Sequence, residues 1–196
     1  MENAEDHINN LAGPEAKAKL KELVEKAENC FFCSNIKTGL PFSTRPMSEQ
    51  LVDEDGSIWF LSRKDSGKNA EVDQDPFVQL LFQANKHSGF VSIYGIAKII
   101  DDQQKIDELW QPMFKVWFEK GKNDPVISLI KVDPTEGYYW DTKNGQAIAF
   151  LKIAASLVTG KAMDDSVEGK LIVDYEPGLQ SRESKKRTST FMNLSF

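Results

Sequence analysis

The chain has 196 residues, the size of one domain or of one domain with an extension. Its 24 Lys and Arg against 30 Asp and Glu leave a net charge of −6, which argues against general binding of nucleic acid or another polyanion. Hydrophobic residues at 40% and charged residues at 28% fit an ordinary globular domain, and no apolar run approaches the ~18 residues of a membrane span.

The start, Met1-Glu2-Asn3-Ala4-Glu5-Asp6, is acidic where a secretory signal is positive and then apolar, so the expected location is cytoplasmic. Residues 1–13 read as a flexible N-terminus, 14–160 as the folded domain and 161–196 as a polar extension. Gly13-Pro14 opens a helix whose apolar face is Leu20, Leu23, Val24 and Ala27. From Asn29 the period changes to two, predicting antiparallel strands near Cys30–Ile36, Phe42–Leu51, Ser57–Ser62, Val78–Phe82 and Phe90–Ile100.

Cys30 and Cys33 have CxxC spacing, but residues three apart on a strand point to opposite faces, so the sulfurs diverge and both read as structural thiols. Asp53-Glu54-Asp55-Gly56 joins the second and third strands as a hairpin turn; it lacks the alternating ligands and distant Glu of a calcium loop. No metal site is expected.

After Asp101-Asp102, Ile106, Leu109, Trp110, Met113 and Trp117 fall at helical spacing, with Pro112 breaking the run in two. Val126–Val132 and Gly137–Trp140 return to strand, and Ala147–Val158 reads as a final helix closed by Gly160. Beyond it lie one β-like patch, Leu171–Tyr175, and a basic stretch, Ser181–Thr190, read as a solvated tail.

The residues supply no triad: His7 lies in the polar start, His87 in a loop, and neither accompanies a nucleophile elbow, a Walker A loop or a GxGxxG turn. The informative stretch is Ser62-Arg63-Lys64-Asp65-Ser66-Gly67-Lys68, between a strand and a short helix. A helix start with free N–H groups, the Ser66 hydroxyl, a glycine and the Lys68 charge suit a phosphate, although a solvated loop capped by Ser66 accounts for the same residues. Arg45, on the strand before the hairpin, adds a second cation, and Pro46 places that strand at an edge or bulge.

In this order, Thr44-Arg45-Pro46-Met47, Asp55-Gly56-Ser57-Ile58-Trp59-Phe60, Ser66-Gly67-Lys68, Val91-Ser92-Ile93-Tyr94-Gly95-Ile96-Ala97, Trp117-Phe118 and Tyr139-Trp140-Asp141 resemble the FMN-binding split-barrel proteins related to pyridoxamine 5′-phosphate oxidase. Within that family the resemblance is to the general stress protein 26 group, over about residues 22–160. It implies a mainly β fold with flanking helices, a six-stranded antiparallel split barrel, forming a homodimer with one FMN in each of two clefts between subunits.

By the same resemblance Arg45, Ser66 and Lys68 match phosphate binders, while Pro46-Met47 and Leu61-Ser62 match segments that hold the ring and ribityl chain. Trp117 and Trp140 are candidates to cover the flavin of a partner subunit, or else packing residues. The activity implied is a flavin-dependent oxidoreductase; a non-catalytic FMN binder, or a barrel taking a deazaflavin or haem, stays open. Gln50 stands where the oxidase has a Lys, and the ending Met192–Phe196 lacks its Arg-and-His signature, so pyridoxamine 5′-phosphate is not the expected substrate.

Overall fold

The computed structural model describes residues 7–38, 41–84, 89–142 and 166–174. The helix α1, Pro14–Ala27, forms where the sequence predicts it, with Pro14 in its first turn. Ala16, Leu20, Leu23 and Val24 recur at helical spacing and are buried, while Ala27 is partly buried. Glu28 closes the helix in the left-handed region, its N–H donating to the Val24 carbonyl at 3.3 Å.

Among the described residues nine strands form one sheet: β1 Leu11–Ala12, β2 Asn29–Ser34, β3 Ser43–Ser48, β4 Leu51–Val52, β5 Ile58–Arg63, β6 Phe77–Gln83, β7 Phe90–Ile100, β8 Ile127–Thr142 and β9 Ser166–Ile172. The main order is β1-β9-β8-β7-β6-β2-β3, with β5 pairing the first half of β8 and β4 pairing β5. Six strands follow one another as β5-β8-β7-β6-β2-β3, the number that the resemblance implies for the barrel. The two-residue β1 and β4 and the seven-residue β9 are additions to that set, so the sheet has more strands than the resemblance implied. No pairing joins β3 to β5 among the described residues, and the barrel stays open there, bridged only by the chain through Glu49 and Gln50.

Several boundaries differ from the sequence reading. The predicted strand Phe42–Leu51 is two strands, because the chain turns at Glu49-Gln50 and the Gln50 N–H donates to the Trp59 carbonyl at 2.8 Å. The hairpin turn at Asp53–Gly56 consequently joins β4 to β5; Gly56 has φ +90° and its N–H donates to the Asp53 carbonyl at 3.0 Å.

The two predicted strands Val126–Val132 and Gly137–Trp140 are one 16-residue strand, β8, with a bulge at Thr135 opposite Tyr94 and Gly95. At that bulge a Cβ on Gly95 would lie 2.8 Å from the Asp133 carbonyl oxygen, so only glycine fits. The bulged Thr135 carbonyl accepts from the N–H groups of Val173 and Asp174.

The sheet also runs past the expected 14–160 boundary at both ends. β1 pairs in parallel with β9, β9 pairs antiparallel with β8, and Leu171 and Val173 are buried beside Leu20. Residues 11–12 and 166–173 thus belong to the folded unit, not to a loose start and a polar extension. The predicted helix Ala147–Val158, the basic stretch Ser181–Thr190 and His87 lie outside the described residues.

The main core lies between α1 and the inner sheet face, with Phe32, Phe60, Leu80, Ile93 and Ile130 at its centre. A second cluster gathers Trp59, Ile127 and Leu129 under the helix α3, Gln103–Leu109, and the 3₁₀ turn Pro112–Val116. The predicted apolar stripe is broken there: Ile106 and Leu109 are buried, but past Pro112 the inward places go to Phe114 and Phe118, leaving Met113 60% and Trp117 56% exposed. No helix among the described residues is long and apolar enough to cross a membrane.

Candidate functional site

Strand β5 delivers Leu61 and Ser62 to the start of the helix α2, Gly67–Gln74, through the turn Lys64-Asp65-Ser66. Ser66 takes the cap position, but its hydroxyl makes no capping bond to the helix backbone. It donates instead to the Asn69 side-chain oxygen at 3.2 Å, as does the buried Ser62 hydroxyl at 2.6 Å, and the Asn69 amide donates to Ser128 on β8 at 2.8 Å. Ser62 is therefore part of an internal polar network that fixes the end of α2 against β5 and β8.

Above that network stands Lys68. It is half-buried, and among the described residues it has neither an ion-pair nor a hydrogen-bond partner. Burial lowers its pKa from the ordinary lysine value, and the neighbouring charges of Arg45 and Arg63 push the same way against a smaller opposing effect of Asp65. Three cations thus converge at the first turn of α2, and a Cβ placed on Gly67 would meet nothing within 4 Å, so the space over the helix start is open. Such a surplus of positive charge beside free helix N–H groups is what an anionic phosphate neutralises.

The other two cations are already engaged. Arg45 donates to Glu71 at 2.5 Å, and Glu71 also accepts from Ser34 at 2.6 Å and Ser43 at 3.1 Å. Burial works against the Glu71 carboxylate, but the hydrogen bonds from Ser34 and Arg45 hold it below the ordinary carboxylate range. Arg63 grips Asp65 through two bonds of 3.0 and 2.9 Å and donates to the Trp117 carbonyl at 3.3 Å.

Beside this corner runs a groove of about 700 Å³, lined by Pro46 and Met47 of β3, Leu61 of β5, and Trp117 with Phe114 and Phe118. Four sequence-predicted residues, Pro46, Met47, Leu61 and Trp117, thus share one wall system. Arg45 and Ser62 are chain neighbours of Pro46 and Leu61, but neither they nor Ser66 and Lys68 line the groove. Trp140 does not join them: it lies near the far end of β8, 44% exposed, paired with Phe90 and Glu168 and packed on Tyr138 at 4.8 Å.

Sequence reasoning missed Arg63, Asn69 and Glu49. Arg63 sat inside a stretch read as generally basic, and nothing in the sequence marks which polar side chain turns inward, as Asn69 does. Glu49 lines the groove and its Oε2 is buried without a hydrogen-bond partner. Burial pushes Glu49 up to about 7, with Glu28 and Glu25 adding to the effect and a hydrogen bond to its own backbone amide opposing it.

Cys30 and Cys33 are buried free thiols on opposite faces of β2; burial raises the Cys30 thiol, and Cys33 accepts a hydrogen bond from Thr44. His7 contacts the Ser166 carbonyl at 3.0 Å. Among the described residues no three His, Cys, Asp or Glu side chains gather as a metal site.

The fold and its sequence have relatives. A family model described as pyridoxamine 5′-phosphate oxidase like matches residues 15–164. Protein bli-3 of Neurospora crassa is 24% identical over 134 residues, 64% of each chain. General stress protein 26 of Bacillus subtilis is 25% identical over 83 residues, 41% of this chain and 59% of the relative, so the chain spans less than two thirds of either relative's length.

Among solved structures, a provisionally assigned general stress protein 26 from Jannaschia sp. CCS1 superposes with a TM-score of 0.68 at 24% identity, covering 82% of this chain and 99% of that one. A protein of Xanthomonas citri described as a general stress FMN/FAD binding protein superposes with a TM-score of 0.51 at 28% identity, covering 61% of this chain and 82% of that one. With the family model spanning most of the chain and the fold shared with these neighbours, the chain belongs to the pyridoxamine 5′-phosphate oxidase like family.

Proposed function

We propose that the protein binds FMN in this groove, the phosphate at the start of α2 and the ring along Pro46-Met47 and Leu61-Ser62, and that it works as a flavin-dependent oxidoreductase. The observation that carries this reading is Lys68, a half-buried cation without a partner among the described residues, set beside Arg45 and Arg63 under open space. When bound, FMN supplies hydride transfer at its N5. The chain's own part is to hold the phosphate, seat the ring on the apolar wall and leave room beside it. Exposed Met113 and Trp117 at the groove's rim favour turnover over sealed storage.

A homodimer belongs to the same reading, and we do not assign it to the apolar residues Trp110, Met113, Phe114, Trp117 and Phe118. Of these, Phe114 and Phe118 are consumed by the chain's own core, with Trp110 packed against it. The unspent apolar area lies on the outer sheet face, where Phe31 pairs with Leu81, Leu81 with Ser92, and Phe90 with Trp140. Phe31, Leu81, Phe90 and Trp140 all stand exposed there. A second copy covering this face would bring Trp140 toward a groove other than its own. Buried free thiols are in keeping with the reducing cytoplasm.

Titration of FMN with the protein, read by flavin fluorescence, tests the cofactor. Quenching and thermal stabilisation are expected, and Lys68→Ala should weaken binding by about 1–3 kcal/mol, the scale of a lost charge-assisted hydrogen bond. No quenching at large excess overturns the reading. Pyridoxamine 5′-phosphate should not turn over in the loaded protein, assayed as pyridoxal phosphate formation, because Gln50 is neutral and donates to the Ser48 carbonyl while Lys64 is paired with Asp101 at 2.5 Å.

A further inference from the structure

One carboxylate organises the basic corner without belonging to it. Glu71 lies three residues after Lys68 on α2, the spacing of a helix ion pair, yet among the described residues the two are not paired. Its oxygens are spent on the sheet instead: they accept from Ser34 of β2 at 2.6 Å, from Ser43 of β3 at 3.1 Å and from Arg45 of β3 at 2.5 Å. Ser34 and Ser43 face each other in the β2–β3 register, and Ser34 is buried. Two hydroxyls from paired strands thus fix the carboxylate that Arg45 meets.

Alternation along β3 sets Ser43, Arg45 and Met47 on one face, and Met47 lines the groove. Arg45 therefore stands between the anchored carboxylate and the wall proposed for the ring. A long side chain has many rotamers to lose, and a partner fixed in advance removes much of that cost before a ligand arrives. Nη2 is the nitrogen that donates to Glu71, which leaves further donors of the planar fork for an anion. We propose that Glu71 is the positioning residue of the phosphate corner: clamped by Ser34 and Ser43, it aims Arg45 at the anion and, being committed to the sheet, leaves Lys68 to the ligand. The assignment rests on the flavin reading above and goes beyond it, because it ties the affinity for an anion to a carboxylate. By charge alone a carboxylate weakens the binding of a nearby anion, so the sign of its effect separates positioning from repulsion.

The test compares FMN with riboflavin, which carries the same ring without the phosphate, each titrated by flavin fluorescence. Glu71→Gln should weaken FMN about tenfold, the scale of one charge-assisted hydrogen bond, and leave riboflavin unmoved. In protein already carrying Arg45→Ala, the same substitution should weaken FMN no further. Ser43→Ala removes one anchor of the carboxylate and no charge; it should weaken FMN by a smaller factor, again without moving riboflavin, and it decides the question if the glutamine variant does not fold. Unchanged or tighter FMN binding in Glu71→Gln, an equal loss for riboflavin, or a further loss on the Arg45→Ala background overturns the proposal. Wild-type protein that binds neither flavin overturns the flavin reading instead, and inorganic phosphate then probes the corner. Thermal stabilisation by phosphate that is lost in Glu71→Gln upholds the positioning role, whereas equal or absent stabilisation overturns it.

Discussion

Ser62 on β5 and Glu49 in the break between β3 and β4 show how differently two polar residues are treated. Ser62 is buried with every contact made, its hydroxyl held by Asn69, which is held by Ser128. Glu49 is shielded with one oxygen unmet, so its neutral form suits the fold better than its charged form. Its cost to stability is absent at acid pH, grows as the pH passes above the ordinary carboxylate range, and is complete above about 7. Glu49→Gln should therefore raise the thermal midpoint little at about pH 4.5 and more at about pH 8; an equal gain at both would show that the carboxyl stays fully solvated. The meeting of Lys68 and Arg45 at the start of α2 was legible, because Lys68 follows a glycine at a helix start and Arg45 lies on the strand before the hairpin that leads there. Ser62 and Glu49 were not, because one-letter polarity does not say which side chain the barrel's curvature turns inward.

Elements were legible where the hydrophobic period was long. α1 and β7 match their predicted spans closely because their alternation meets a single core face from end to end. β3 and β4 were fused in the sequence reading because extended residues continue through Glu49-Gln50, and only the bond from Gln50 to Trp59 shows the change of partner. The same fusion ran in reverse at β8, where Asp133-Pro134-Thr135 looked like a loop and is a bulge inside one strand. The outer face of β2, β6 and β7 carries the dimer prediction. Leu81, paired with Phe31 across that face and 39% exposed, has a side chain that one charge renders incompatible with a dry interface. Leu81→Arg should convert a sedimenting dimer into a monomer at micromolar concentration with its far-ultraviolet circular dichroism intact; an unchanged dimer would place the interface elsewhere.

At the scale of the molecule, the reach of the fold past residue 160 was the least legible feature, since the sequence shows there only the β-like patch Leu171–Tyr175 in a polar stretch. Its contribution is nonetheless central: Leu171 is fully buried in the core that holds Leu20 and Ile93, and β9 supplies the partner for both β1 and the second half of β8. Leu171→Ala should cost about 2–5 kcal/mol, read as a fall in the denaturant midpoint. A change under about 0.5 kcal/mol, the range of an ordinary surface substitution, would return β9 to the periphery.

That placement has a consequence for synthesis. The apolar stripe of α1 is made early, but part of its cover, Leu171 and Val173, is made late. At about 5–20 residues per second, a ribosome takes roughly 7–30 s to travel from the end of α1 to Val173. During that interval Leu20, Leu23 and Val24 lack part of their final cover, and the parallel pairing of Leu11 with Leu171 cannot begin. A nascent chain of this protein therefore presents a sticky amphipathic helix to its surroundings until nearly the whole barrel has emerged, which makes early chaperone contact with α1 a property of its topology.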